Sequence, residues 1–194
     1  TGKTPLSILI AQEMLLIKKK PVIVKKFYKN HLDEHNLIKK YFKSLILEKN
    51  RLLGVQKASR LNFDTIILDD GFQDTKIKKQ LNIICFNEKQ LVGNGLVFPS
   101  GPLRESLNSI KRAEIVVING EKKEEFENDI LRINPELSIF YSEYRIDNLE
   151  KLKNERLLAF AGIGNPSNFF DLLKKNNLNV VNQLTYPDHY EFSK

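Results

Sequence analysis

Two short clusters in this chain hold the residue types that phosphate chemistry needs. Thr1-Gly2-Lys3-Thr4 has the order of the closing residues of a glycine-rich phosphate loop. In such a loop, backbone N–H groups and the N-terminus of the following helix hold phosphate oxygens. A lysine in the place of Lys3 reaches the terminal phosphates, and a hydroxyl in the place of Thr4 is a ligand for Mg²⁺. The second cluster closes the run Thr65-Ile66-Ile67-Leu68-Asp69-Asp70-Gly71-Phe72-Gln73. Asp69 and Asp70 together form a dense negative site that would take a cation, at the strand end where open α/β sheets bind ligands. The same residues also have the composition of a turn opening before Gly71, and both readings stand.

A third cluster ends a loop rich in glycine and proline, Asn94 to Glu105. Long structured loops often carry function. Arg104 suits a phosphate clamp and Glu105 could reach a metal; an ion pair within the loop is the simpler alternative. Asp33-Glu34 lies between His31 and His35. Asp33 reads as a helix cap with an acidic first turn behind it. The two histidines have no metal-ligating spacing and read as surface residues.

These side chains need elements to hold them. Pro5 suits the first turn of a helix, and Leu6, Leu9, Ile10, Met14 and Ile17 recur at helical spacing up to Lys18. Short β-branched or apolar runs predict strands at 21–24, 44–47, 65–68, 81–86, 115–118, 138–144, 157–161 and 179–184. Helical patterns fall between them, ending at Phe42, spanning Arg51 to Leu61, starting at Ser106, spanning Glu121 to Leu131 and running from Ser167 to Lys175. Strands alternating with helices predict βαβ units and a mostly parallel α/β sheet of the phosphate-loop kind. The polar stretch 147–155 reads as a linker. Residues 1–146 then form a nucleotide-binding domain that lacks its N-terminal part, and residues 156–194 begin a smaller α/β domain that stops before closing a core. The opening at Thr1 without methionine reads as a fragment, so an upstream anchor is compatible with the sequence.

Composition narrows the classes further. The 194 residues are 41% hydrophobic and 28% charged, which is globular and not disordered. Net charge of +7 favours anionic partners, although a bias towards Lys, Asn and Ile accounts for it equally well. The single Cys85 lies in an apolar strand pattern, which excludes an internal disulfide framework or a cysteine zinc site and fits a reducing compartment. No run is long enough to span a bilayer, and no signal peptide is visible.

Five segments in order, TGKTP at 1–5, DDGFQ at 69–73, GPLRE at 101–105, AGIGNPSNFF at 161–170 and DHY at 188–190, resemble the tetraacyldisaccharide 4'-kinase family. The resemblance implies a membrane-associated enzyme at the cytoplasmic face of the inner membrane of Gram-negative bacteria, in lipid A biosynthesis. Its expected reaction moves the ATP γ-phosphate to the 4'-hydroxyl of an anionic tetraacylated disaccharide 1-phosphate, giving lipid IVA. Its fold is a larger nucleotide-binding domain and a smaller C-terminal domain with the cleft between them. ATP and Mg²⁺ are the expected cofactors, with a lipid substrate and a membrane surface as partners and no nucleic acid.

Carried over residue by residue, Thr1, Gly2, Lys3 and Thr4 bind nucleotide. Thr4, Asp69, Asp70 and Glu105 serve the metal, and Asp70 and Arg104 serve the phosphoryl group. Asp33 assists the sugar hydroxyl paired with His189, and Tyr28 matches a family tyrosine. The chain departs from the family pattern in four places. Lys25-Lys26-Phe27-Tyr28 stands where SRGY is usual, and Leu32 replaces the glycine of GDE. Asp74 and Tyr190 stand where histidines are common. Other readings are a phosphate-loop ATPase switch, with water as acceptor and no role for Asp33 and His189, and a decayed nucleotide-binding module.

Overall fold

A computed structural model describes residues 2–28, 32–188 and 190. The chain divides into two units, residues 1–28 with 34–143, and residues 29–33 with 144–194.

The first unit opens with helix α1 (Lys3–Leu16) and strand β1 (Pro21–Lys26). Helix α2 (Leu32–Tyr41), of which Leu32 and Asp33 group with the second unit, leads to β2 (Leu45–Glu48). Helix α3 (Arg51–Arg60) then leads to β3 (Thr65–Leu68). These three strands form a parallel sheet in the order β2-β1-β3, with Ile23 paired to both Leu45 and Ile67. Strand β1 is central and buried from Pro21 to Lys25. Its side chains alternate between faces, as a strand's must. Ile23 packs with Ile8 and Ala11 of α1 and Ile38 of α2, while Val22 and Val24 pack with Ala58 of α3 and with Ile46 of β2. The sheet therefore carries helices on both faces, which is why β1 reads as continuously apolar.

A second parallel sheet in this unit has the order β4-β5-β6, from β4 (Ile83–Asn87), β5 (Ile115–Asn119) and β6 (Ser138–Ser142). Helix α4 (Glu124–Ile133) covers it through Phe126 and Ile130, which join Phe86, Val116 and Ile118 in one core. The helix expected from Ser106 is a 3₁₀ helix of six residues, Leu107–Arg112, with Ile110 buried in the same core.

In the second unit, β7 (Leu157–Ala161) and β8 (Val180–Thr185) pair in parallel, and α6 (Pro166–Lys175) crosses between them. The stretch expected as a linker contains a short helix, α5 (Leu149–Leu152), whose two leucines pack with Ala159, Phe170 and Leu173. Polar composition hid this helix because only those two side chains turn inward. No helix among the described residues is long and apolar enough to cross a membrane.

Candidate functional site

The sequence motifs of the first unit converge where α1 begins and β3 ends. Gly2 precedes α1 with φ 82, a left-handed conformation open to glycine at no steric cost. It turns the chain so that Lys3 and Thr4 enter the helix at its positive end. At the end of β3, Gly71 is required for space, since a Cβ there would lie 2.5 Å from the Leu68 Cβ. Lys79 donates to the carbonyls of Gly71 (3.3 Å) and Asp74 (2.7 Å) and fixes the turn that follows.

The two aspartates divide the work. Asp69 is buried, with 1% of its surface exposed. Its Oδ2 accepts from the Thr4 hydroxyl at 3.0 Å and from the Lys25 ammonium at 2.5 Å, and its Oδ1 accepts from Ser7 at 3.3 Å. Asp70 faces the other way. It adopts φ 59, uncommon outside glycine and tolerated best by Asp and Asn. Its Oδ1 lies 2.9 Å from the Lys3 ammonium, and its Oδ2 accepts from Arg104 at 2.6 Å. Burial alone would push the Asp70 carboxyl up. The Lys3 hydrogen bond and charge, then those of Arg104, outweigh it and hold the carboxyl below the usual range.

The loop that delivers Arg104 is tied down by its own backbone. Phe98 N–H donates to the Leu103 carbonyl at 2.7 Å, Leu103 N–H to Leu96 at 3.2 Å, and the Asn94 side chain brackets the turn. Glu105 does not reach the aspartates. It pairs with Arg112, whose guanidinium also lies over the Phe72 ring at 4.6 Å. The ion pair expected within this loop gives way to two pairs that leave it, Arg104 with Asp70 and Glu105 with Arg112 of the 3₁₀ helix.

A cleft of about 760 Å³ in the first unit is lined by Lys3, Asp70 and Arg104, and by Leu68, Ile84 and Cys85 of β3 and β4. Strands β3 and β4 each end their sheet. The apolar part of the cleft is thus walled by strand edges whose backbone groups need hydrogen-bond partners. Burial pushes the Cys85 thiol there up to about 11.

A family model described as tetraacyldisaccharide-1-P 4'-kinase matches residues 1–194. The chain belongs to this family. It is 40% identical to the tetraacyldisaccharide 4'-kinase of Pelagibacter ubique, an alignment covering 100% of the chain and 62% of that relative. The 4'-kinases of Rickettsia canadensis and Rhodopseudomonas palustris (strain BisB5) are 32% and 29% identical, each over 99% of the chain and 63% and 62% of their own lengths. The chain therefore spans somewhat less than two thirds of the 4'-kinases it matches.

Two residues of this cluster escape a reading of the sequence. Arg51 opens α3 behind the cap formed by Asn50, whose side chain accepts from the Leu52 N–H. Its guanidinium lies 3.5 Å from the Asp69 carbonyl and 3.9 Å from Asp70 Oδ2, and its buried Nε has no hydrogen-bond partner. A cation at a helix N-terminus opposes the helix dipole, and that mismatch is the signal that could have singled it out. Lys25 is the other: a lysine buried in the apolar strand β1, with its ammonium 2.8 Å from Glu34 and 2.5 Å from Asp69.

The remaining expected residues fall elsewhere. Asp33 lies inside the first turn of α2, not at its cap, and is exposed. His35, expected at the surface, is 2% exposed and stacks on Phe27 with ring centroids 5.6 Å apart. Tyr28 is exposed, with the Lys26 ammonium 5.2 Å from its ring centroid. Thr1, His31 and His189 lie outside the described residues.

Proposed function

We propose that the protein is an ATP-dependent lipid kinase that transfers the γ-phosphoryl group to the 4'-hydroxyl of a tetraacylated disaccharide 1-phosphate, giving lipid IVA. The observation that carries this reading is the convergence of three cations, Lys3, Arg51 and Arg104, on Asp70 beside the N-terminus of α1. One carboxylate does not balance three cations. The surplus positive charge suits the phosphates of a nucleotide, and family membership supplies the acceptor.

Phosphoryl transfer asks the protein for alignment and charge neutralisation more than for covalent chemistry. Backbone amides at Gly2, Lys3 and Thr4 are placed to receive phosphate oxygens. Lys3, Arg104 and Arg51 stabilise charge that builds on the transferred group, with Asp70 holding the first two in position before substrate arrives. Asp33 accepts the proton of the sugar hydroxyl, and His189 orients it. The Thr4 hydroxyl and the Asp69 carboxylate are hard oxygen donors 3.0 Å apart, a donor set that suits Mg²⁺ beside phosphate oxygens. When bound there, Mg²⁺ would supply further charge neutralisation. Glu105, held by Arg112, positions the 3₁₀ helix and is not assigned to the metal.

The anionic lipid substrate and the net charge of +7 support work at the cytoplasmic face of the inner membrane, where anionic headgroups attract basic surfaces. The test uses full-length protein with Asp33→Ala, His189→Ala and the double variant. Groups acting as one unit are non-additive, so kcat falls in each single variant and hardly further in the double, while ATP binding persists. Small, additive effects on kcat would remove the pair and favour an ATPase switch.

A further inference from the structure

Lys25 has no counterpart in the usual family motif and no role in the reaction just described, yet its surroundings are those of a functional group. It is the last buried residue of the central strand and is 5% exposed. Its ammonium lies 2.5 Å from Asp69 Oδ2 and 2.8 Å from Glu34 Oε2. Asp69 Oδ2 is also the atom that accepts from the Thr4 hydroxyl. The lone pairs through which a divalent cation would be held at Asp69 are therefore already engaged by a cation that belongs to the chain.

We propose that Lys25 is a positioning residue, a built-in counter-cation of the Asp69–Thr4 pair that makes divalent-cation binding conditional on nucleotide. The proposal rests on the reading that Thr4 and Asp69 hold the metal. Without nucleotide, the ammonium neutralises Asp69 and repels a dication brought to the same oxygen. Repulsion between charges a few ångströms apart in a partly buried site is several-fold stronger than in water. Nucleotide phosphates bring the negative charge that compensates, and the ammonium can then rest on Glu34 alone. Glu34 is thus the second seat of the cation, already 2.8 Å from the ammonium.

The test measures Mn²⁺ binding to full-length, nucleotide-free protein by the loss of the free-ion paramagnetic resonance signal, for wild type, Lys25→Met and Lys25→Arg. The same titration is repeated with ADP, and the Mn²⁺ signal lost to the same ADP without protein is subtracted. The expected result is weak Mn²⁺ binding by the free wild type, about tenfold or more tighter binding by Lys25→Met, and no gain for Lys25→Arg. With ADP present, wild type and Lys25→Met converge. Equal Mn²⁺ affinity of nucleotide-free wild type and Lys25→Met would overturn the proposal and leave Lys25 as a structural ion pair. Should Lys25→Met fail to fold, wild type alone decides: Mn²⁺ bound as tightly without ADP as with it overturns the proposal. No protein-bound Mn²⁺ in wild type even with ADP would remove the metal reading of Thr4 and Asp69, and this inference with it.

Discussion

Lys3 and Asp70 form an ion pair of 2.9 Å between the first residue of α1 and the residue that follows Asp69 at the end of β3. The two lie 67 positions apart in the sequence, so the pair exists only because the parallel sheet brings the helix start and the strand end together. It places an ammonium and a carboxylate at one point before any nucleotide arrives. Lys3→Ala and Asp70→Asn in full-length protein should each lower turnover by roughly 10²–10³-fold, the usual cost of one preorganised charge contact. Circular dichroism should remain that of the folded protein. Near-normal turnover in either variant would take the pair out of the chemistry.

Arg51 makes a sharper test of the same cluster, because its place at a helix N-terminus has no benefit for the helix. Arg51→Ala should lower kcat by about 10²-fold through loss of a charge on the transferred group, while thermal stability holds or rises as the dipole mismatch is relieved. Arg51→Lys should recover little, since a lysine cannot reproduce the planar fork. A fall in melting temperature with unchanged kcat would make Arg51 a purely structural residue.

Much of the fold was open to a reading of the sequence, for a physical reason. A strand buried on both faces must be β-branched and apolar, so β1 stands out as a run from Pro21 to Val24, and β3 and β5 share that composition although they are only part-buried. The site was less open. Lys3, Asp70 and Arg104 belong to local motifs, whereas Arg51 and Lys25 gain their meaning from partners 19 and 44 positions away, Asp70 and Asp69. His35 looked like a surface residue because its neighbours are charged, and Phe27 covers it only in three dimensions. The helix expected from Ser106 tightened into a 3₁₀ helix, and its Arg112 pairs with Glu105.

Lys25 also predicts a pH dependence. Its folded-state value is raised above the ordinary lysine value of 10.5, because Asp69 and Glu34 outweigh burial. The stabilisation is therefore complete below pH 10.5 and is lost as the pH rises through the folded value. Thermal melts of wild type should fall more steeply above about pH 10.5 than those of Lys25→Met. Parallel alkaline profiles would contradict the ion pair.

Cys85 should be inert in the folded chain. Burial raises its thiol to about 11, so the reactive thiolate is scarce near neutral pH. An aromatic disulfide reagent at about pH 8 should label it orders of magnitude more slowly than in urea-unfolded protein. Equal rates would mean that the cleft between β3 and β4 is open to the reagent.

The central claim is the acceptor. Full-length protein is incubated with ATP labelled in the γ-phosphate, Mg²⁺ and tetraacyldisaccharide 1-phosphate, and the label is followed into lipid and into inorganic phosphate. The account predicts label on the 4'-position of the lipid, lost with Lys3→Ala and with Asp33→Ala, and little inorganic phosphate when lipid is absent. Release of labelled phosphate to water at the same rate with or without lipid, and no labelled lipid, would contradict it.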